Sequence, residues 1–471
     1  ERQLGTDAVR MSIDWCRENG CQAFVSLRFN DTHDRDPADR AYLFPPFKES
    51  HPDCLVGSKD KPPKVGAWTA VDFAHPVVRE RFRKFVREFF EKYDMDGFEI
   101  DFFRHALVFK SVADGGEASP EELDFLTELV SYVRETAETF GRHRGHPILI
   151  AVRTPDSIGY CKAIGFDVET WLSRKFVDIW TVSGYFQFEQ WSTSVALAKR
   201  HGVRCYASID ESRINLHARR NGLPTIYGRE TMDNYAARFA SAFAGGCDGV
   251  NLFNQEYQRL VDLTKDGPEA LACRNKIYFA TERGTGGYPP TEYLLNPWRF
   301  DRMPQLDPGR PLALSAGSSY DFEMLLGEDF AAAARLGKRP KVTLIALPDE
   351  NVPVEVTVNG HTVTTFVTEQ RIHKFFAEPS WIKKGLNAFS VRTKAANHLH
   401  DFAVKVTYEK AALAKGVRML TASDYEAERP DGRTSRTMAW AMKKLRQKYH
   451  PGMRDFLKDR ASYEIWRKEQ R

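Results

Sequence analysis

At 471 residues the chain is too long for one ordinary core, so two or three domains are expected, and a formal charge of +4 is too small for that size to argue for nucleic acid. Seven cysteines, odd in number and scattered, exclude a disulfide framework, and the closest pair, Cys16 and Cys21, lacks zinc-ribbon spacing. No run nears the roughly 18 consecutive apolar residues of a membrane helix, and Glu1 opens neither a basic nor an apolar leader; the chain reads as soluble, with any leader already removed and residues expected upstream of Glu1.

From about residue 7 to 255, helical period alternates with short β-rich runs, the pattern of βα units around a parallel sheet. The runs are CQAFVSLRF, DGFEIDFF, PILIAVR, VDIWTVSGY, VRCYASID and DGVNLF. The clearest helix is predicted over 75–93: Pro76 falls in its first turn, and Val78, Phe82, Phe85, Val86, Phe89 and Phe90 recur at three-to-four spacing. Its Arg, Lys and Glu residues read as a solvated face. Polar residues follow each β run: Asn30, Asp31 and His33; Arg104 and His105; Arg153; Ser183 and Tyr185; Glu211 and Arg213; Asn254 and Glu256. One functional edge of this kind predicts a (β/α)8 TIM barrel, whose site is built at the carboxyl ends of its strands. A doubly wound sheet would need a Gly-rich phosphate turn that the sequence lacks. Six strands are legible, so either two are cryptic or the chain begins inside the barrel.

After residue 290 the character changes. NPWRFDRMPQLDPGRP is a Pro-rich connector, and KVTLIAL, VPVEVTVNGHTVTTF, LNAFSVRT and FAVKVTYE alternate at period two, with Asn359 and Gly360 at a hairpin turn. Residues 291–410 are therefore expected to form an all-β sandwich after a barrel over 1–290. From 411 to 471 the chain is basic and reads as amphipathic helices; Trp440, Tyr449 and Trp466 are available to dock on the chain itself or on a second copy of it.

The stretch DGFEIDFFRH carries the chemistry. In a strand, Glu99 and Asp101 share one face while Phe98, Ile100 and Phe102 share the other, so both acids would face a barrel lumen and the apolar residues its helices. Two acids this close repel, and one is expected to hold its proton as a general acid requires; ion pairing of Glu99 with an arginine is the structural alternative. Glu211, on another strand, would supply the second carboxylate used in glycosidic cleavage, although alternation leaves open whether Asp210 or Glu211 points inward. Arg28, Arg104, Arg153 and Arg213 fall at or just past strand ends, and guanidinium forks match carboxylate or sulfate, so an anionic ligand is expected. Asn30, His105, Tyr185 and Asn254 complete the candidate substrate-binding set. Trp180, Tyr185, Phe186, Phe188 and Trp191 suit stacking on sugar rings or packing of loops. His33, Asp34 and His105 are metal-capable types without a tight ligand motif, so no metal and no other cofactor is expected.

The segment WTAVDFAHPVVRERFRKFVREFFEKYDMDGFEIDFFRH, followed by GFDVETWLSRKFVDIWTVSGY, resembles the glycosyl-hydrolase-like barrel families related to family ten, in which an HP-x-VR helix start precedes a YDVDGIHxDD-type strand. The likeness spans about residues 20 to 255. It implies that Asp101 is a site carboxylate, with Glu99 where a histidine is usual and Phe102 where a second Asp stands. It also implies that the first legible strand is the third of the barrel, with two strands before Glu1. A chitinase-type DGxDxDxE motif is similar, but Phe103 occupies the place of its catalytic Glu. In the clan of retaining barrels an acid/base ends strand four and a nucleophile ends strand seven; counted by the resemblance, Asp101 or Glu99 and Glu211 occupy those strands. The expectation is a glycoside hydrolase acting on an anionic polysaccharide or oligosaccharide. A non-catalytic glycan-binding barrel and a polysaccharide lyase are the rivals.

Overall fold

The computed structural model describes residues 5–35, 43–182, 187–210, 218, 221–253, 260, 263, 271–282, 306, 311–349, 352–369 and 371–409. The segment 411–471, expected to be helical, lies outside the described residues, as does most of the Pro-rich connector. Described residues group into two compact units, 5–25 with 89–97, and 26–88 with 98–409.

In the smaller unit, helix α1 (Ala8–Glu18) starts at Asp7, whose side chain accepts the Arg10 backbone N–H. Arg17 pairs with Asp94 at 2.8 Å, and Asp96 accepts the Ala23 N–H at 2.7 Å. Gly97 is required by close approach: a Cβ there would lie 2.2 Å from the Phe24 ring.

A six-stranded sheet is formed by β1 (Phe24–Arg28), β2 (Gly97–Asp101), β3 (Leu149–Thr154), β4 (Ile179–Val182), β5 (Arg204–Asp210) and β6 (Gly249–Phe253), ordered in space as in sequence. Pairings from β3 to β6 are parallel. Sequential order has no reversal point, which separates this sheet from a doubly wound one. The sheet is also curled. At about 4.8 Å per strand, β3 and β6 would stand about 14 Å apart in a flat sheet. Yet the Arg153 guanidinium lies 3.9 Å from the centre of the Phe253 ring. Arg104, just past β2, lies 5.7 Å from the same ring.

Alternation along β2 is as the sequence predicts. Phe98, Ile100 and Phe102 are fully buried, and Phe102 packs on Phe29, Phe166 and Trp171 at ring separations of 4.4, 4.8 and 5.2 Å. Helix α2 (Pro76–Lys92) matches the predicted span, and Val78, Phe82, Val86 and Phe90 form its buried stripe. Phe85 departs from the expected face: it stays exposed beside a cavity of about 490 Å³, where Arg81 lies over its ring at 4.8 Å. Helix α3 (Pro120–Arg144) opens with a capping box between Ser119 and Glu122, and α4 (Trp191–Arg200) and α5 (Met232–Ala244) follow β4 and β5.

Beyond β6 the described strands are antiparallel. A five-stranded sheet, in the order β13 (Phe366–Glu369), β14 (Ile372–Ala377), β10 (Arg339–Leu347), β17 (Asp401–Glu409) and β7 (Lys276–Phe279), shares one apolar core with a four-stranded sheet of β12 (His361–Thr362), β11 (Val354–Val358), β15 (Gly385–Thr393) and β9 (Ser319–Leu326). Short strands β8 (Leu312–Leu314) and β16 (Asn397–Leu399) pair with each other. Asn359 and Gly360 have φ values of 48° and 84°, the left-handed pair that a two-residue hairpin demands.

A buried ion pair ties this layer to the chain preceding α5. Arg229 and Asp401 are both fully buried and meet through two bonds of 2.9 and 2.7 Å; Asp401 also accepts the Ile226 N–H, and Phe279 lies under the guanidinium at 4.0 Å. Removing one partner strands the other charge in an apolar layer. Arg229→Met is expected to cost about 3–5 kcal/mol in urea denaturation, and Arg229→Met combined with Asp401→Leu to recover most of that loss. Equal losses in the single and double variants would show that the pair is not what holds the layer.

Candidate active site

The concave face of the curled sheet is polar. Ser26 and Arg28 come from β1, Glu99 and Asp101 from β2, Arg153 from β3, Ser208 from β5, and Asn251 and Phe253 from β6. Ser208 donates to Asn251 at 3.2 Å across the β5–β6 pairing.

Asp101 is 2% exposed and is gripped by Arg153, itself 2% exposed: the guanidinium Nε donates to Oδ1 at 3.1 Å, and Nη2 donates to Oδ2. The Arg104 backbone N–H adds a bond to Oδ1 at 2.9 Å. Both oxygens are engaged, so Asp101 acts here as an anchor for the Arg153 fork.

Glu99 is treated differently. It is half-buried, and its Oε1 accepts from Ser26 Oγ at 2.6 Å. Burial pushes its pKa up, and the Asp101 charge adds to the rise, against the pull of Arg153 and the Ser26 bond. Of the two acids, Glu99 is therefore the one suited to hold a proton. The ion pair with arginine that the sequence raised for Glu99 is made by Asp101.

A second network lies beyond the ends of β1 and β2. Arg28 donates to Asp31 Oδ2 at 2.9 Å, and Asp31 Oδ1 meets His33 Nδ1 at 2.6 Å and the His33 N–H at 2.9 Å. On the other side of the ring, Arg104 Nη2 stands 2.9 Å from His33 Nε2. A guanidinium only donates, so Nε2 accepts and the ring proton sits on Nδ1, donated to Asp31. Burial alone would raise the Asp31 pKa; bonds from the His33 N–H, Arg28 and the His33 ring, with His105 nearby, hold it well below the usual carboxylate range. His105 packs edge-on against His33 at 4.8 Å, its Nδ1 is 3.2 Å from the Asn30 carbonyl, and burial, with help from His33 and Arg104, pushes its pKa down to about 3.

Asn30, expected to contact substrate, has its amide engaged by backbone: Nδ2 donates to the Val71 and Leu107 carbonyls at 3.0 and 2.8 Å, and Oδ1 accepts the Val71 N–H. Asp34, a metal-capable type in the sequence, pairs with Lys48 at 2.6 Å. Asp31, His33 and His105 offer ligand atoms within 4.8 Å of one another. Arg28 and Arg104 donate to Asp31 and His33 of that cluster, placing positive charge against the atoms that would bind a metal, so the cluster is a poor fit for a metal ion.

Glu211, Tyr185, Arg213 and Asn254 lie outside the described residues, as does Phe186. Asp210 is fully buried with the Arg238 guanidinium 3.6 Å away, while Ile209 packs with Tyr235 and Phe239 of α5. Trp180, Phe188 and Trp191 are buried, and the Trp180 ring N–H is bonded to Thr154 Oγ1, so these three serve packing. Phe253, which sequence reasoning passed over, is an aromatic of the concave face, against which the Arg153 guanidinium lies; its parity with Asn251 in DGVNLF was the available signal.

No family model and no curated protein matches the chain. Among solved structures it is similar to the glycoside hydrolase domain of PgaB (BpsB) from Bordetella bronchiseptica, at 13% identity over 55% of this chain and 77% of that one, with a TM-score of 0.35. It is also similar to a glycoside hydrolase family 18 N-acetylglucosaminidase from Paenibacillus barengoltzii, at 15% identity over 41% of this chain and 77% of that one, with a TM-score of 0.29. A family GH18 chitinase from Chromobacterium violaceum matches at 12% identity over 84% of this chain and 76% of that one, with a TM-score of 0.30. Likenesses of this size establish neither a shared family nor a shared activity, and the family-ten resemblance has no counterpart among these three.

Two outcomes follow from the geometry. Asp101→Asn leaves Arg153 buried beside a neutral partner and is expected to cost about 3–5 kcal/mol in urea denaturation. Glu99 binds its proton more tightly folded than unfolded, so its contribution is present at low pH and is lost as pH rises from the ordinary glutamate value through the raised one. Denaturation midpoints taken across that range should fall for the wild type and flatten for Glu99→Gln; coincident slopes would remove Glu99 as the proton-holding acid.

Proposed function

We propose that the chain is a glycoside hydrolase of the family-ten-like barrel type, acting on an anionic polysaccharide or oligosaccharide. In this reading the curled sheet belongs to a (β/α)8 barrel, two of whose strands lie outside the six described; the expected boundary at 290 falls too late, because β7 (Lys276–Phe279) already pairs with β17 in the antiparallel layer, so the accessory sandwich takes in β7 with strands from 291–410, and 411–471 is a helical segment. Glu99 is the proton donor, Asp101 its structural partner through Arg153, and Glu211, the next residue in sequence after β5, the nucleophile or base.

One observation carries the reading: on the concave face, two neighbouring acids have been split into an arginine-bound carboxylate and a half-buried carboxyl whose pKa is raised. A raised pKa suits Glu99 to the general-acid half of glycosidic cleavage; in this reading the other half falls to Glu211, since Asp101 is held by Arg153. The Glu99 carboxyl would give its proton to the glycosidic oxygen as the C–O bond breaks and its electron pair leaves with that oxygen. The second carboxylate would attack the anomeric carbon or take a proton from the attacking water. A separation of about 5–5.5 Å between the two would give retention, and about 6.5–9.5 Å inversion.

The competing reading, a glycan-binding barrel without turnover, is favoured by the full engagement of Asp101. The experiment is a glycan panel with Glu99→Gln. A general acid is worth about 10²- to 10⁴-fold, so kcat/KM should fall by that factor on native glycans. Glycosides with an activated nitrophenol leaving group need no proton and should lose far less. Binding without product from any glycan in the wild type would favour the binding barrel, and an ultraviolet-absorbing unsaturated product would identify a lyase.

A further inference from the structure

The cluster of Asp31, His33 and His105 fits a metal poorly because two guanidiniums already donate into it. A second group of metal-capable side chains escapes that conflict. Asp53, Cys54 and His75 each bring a donor atom within 4.8 Å of the other two. Among the described residues, no lysine or arginine side chain pairs with Asp53 or with the neighbouring Asp72.

These donors come from the two ends of one loop. Asp53 and Cys54 belong to the 3-10 turn Pro52–Cys54, and His75 immediately precedes α2. The base of the loop is closed by backbone: the Asp72 N–H donates to the Cys54 carbonyl at 2.8 Å, Leu55 bridges Val71, and the Val56 N–H donates to the Ala70 carbonyl at 3.0 Å. Pairing of the main chain therefore holds the three side chains together without any help from bonds between them. Their mutual contacts are weak: Cys54 Sγ reaches Asp53 Oδ2 only at 4.0 Å.

A tetrahedral zinc holds its donors about 3.3–3.6 Å apart, so small side-chain rotations would close these donors on one ion. A thiolate, an imidazole and a carboxylate suit zinc, whereas magnesium and calcium call for oxygen alone. Cys54 is fully buried, which shields a zinc–sulfur bond from water, while Asp53 is exposed and the His75 side chain is 36% accessible, leaving an entry path. Asp72 is buried, its Oδ1 accepts the Ala74 N–H at 3.0 Å, and its Oδ2 stands 3.9 Å from His75 Nε2. A carboxylate fixed beside an imidazole in this way is the usual support of a metal-ligating histidine.

We propose that Asp53, Cys54 and His75 bind a zinc ion that clips the base of the loop 55–71 to the start of α2, with water as fourth ligand and Asp72 as the positioning residue for His75. As the sulfur–zinc bond forms, the Cys54 thiol proton passes to solvent. The site is independent of the glycan-active reading. It departs from the expectation of a metal-free chain, which rested on the lack of a tight motif; ligands at opposite ends of a loop display none.

The test uses the full chain, stripped with a chelator and then given zinc or cobalt(II). The wild type is expected to retain about one equivalent of zinc through gel filtration in excess magnesium, releasing about one proton as it binds. With cobalt(II) it should show a thiolate-to-metal charge-transfer band in the near ultraviolet. Zinc should raise its denaturation midpoint and slow tryptic cleavage after Lys59 and Lys64, both exposed in the loop. Cys54→Ser should lose the charge-transfer band. His75→Ala, a change at a partly exposed side chain that spares the core, should lose the retained zinc. Asp72→Asn should weaken zinc binding by about 10- to 100-fold, the range of a lost outer partner, and keep the charge-transfer band.

No retained zinc, equal retention in Cys54→Ser and His75→Ala, displacement of zinc by magnesium, or a cobalt(II) complex without the thiolate band would overturn the site. Retention that moves neither the midpoint nor the cleavage rate would uphold the ligands and overturn the clip.

Discussion

The contact between Arg153 and the residues around it is the constraint on which the concave face depends. Its fork is fixed by Asp101 on the neighbouring strand, and its face rests on Phe253, three strands away. A guanidinium with both its hydrogen bonds and its flat surface engaged is tolerable in a buried position, where an unpaired one would not be. Satisfying it requires β3 and β6 to approach across the concavity, so the electrostatics of one side chain and the curvature of the sheet are the same fact seen at two scales.

That arrangement separates two acids that the sequence makes look alike. Asp101, one step nearer the end of β2, reaches the guanidinium and is taken up by it. Glu99, one step deeper, meets Ser26 and a less polar surrounding, and burial dominates its protonation. Two residues of displacement along a strand are enough to make one carboxyl the anchor of a guanidinium and to leave the other with a raised pKa. Beyond the strand ends, Asp31 bonds to both Arg28 and His33, and the other ring nitrogen of His33 meets Arg104.

The antiparallel layer is joined to the rest of its unit by a buried charge pair as well as by apolar contact. Arg229 and Asp401 lie where two backbone segments meet, and Asp401 collects the Ile226 N–H in addition to the guanidinium. Apolar contact alone tolerates sliding, whereas a bidentate pair with a backbone donor fixes one register. The strand β7 enters this layer ahead of the Pro-rich connector, pairing with β17.

Much of this was legible from local chemistry. Period-two alternation in DGFEIDFF assigned the faces of β2 correctly because strand geometry allows nothing else, and three-to-four spacing located α2 because its stripe is a local property. Asn359 and Gly360 announced their hairpin because the turn needs two left-handed residues. What the sequence left open were choices between equivalent partners: whether Glu99 or Asp101 would take the arginine, which arginine that would be, whether Asn30 faced ligand or backbone, and whether Trp180 stacked on sugar or packed in the core. Each answer depends on groups far apart in the chain, Arg153 lying 52 residues from Asp101 and Arg104 lying 71 from His33. By itself, the sequence determined which side chains share a face; only the tertiary structure decided which faces meet, because burial and pairing of charge are set by neighbours that the curl of the sheet brings together.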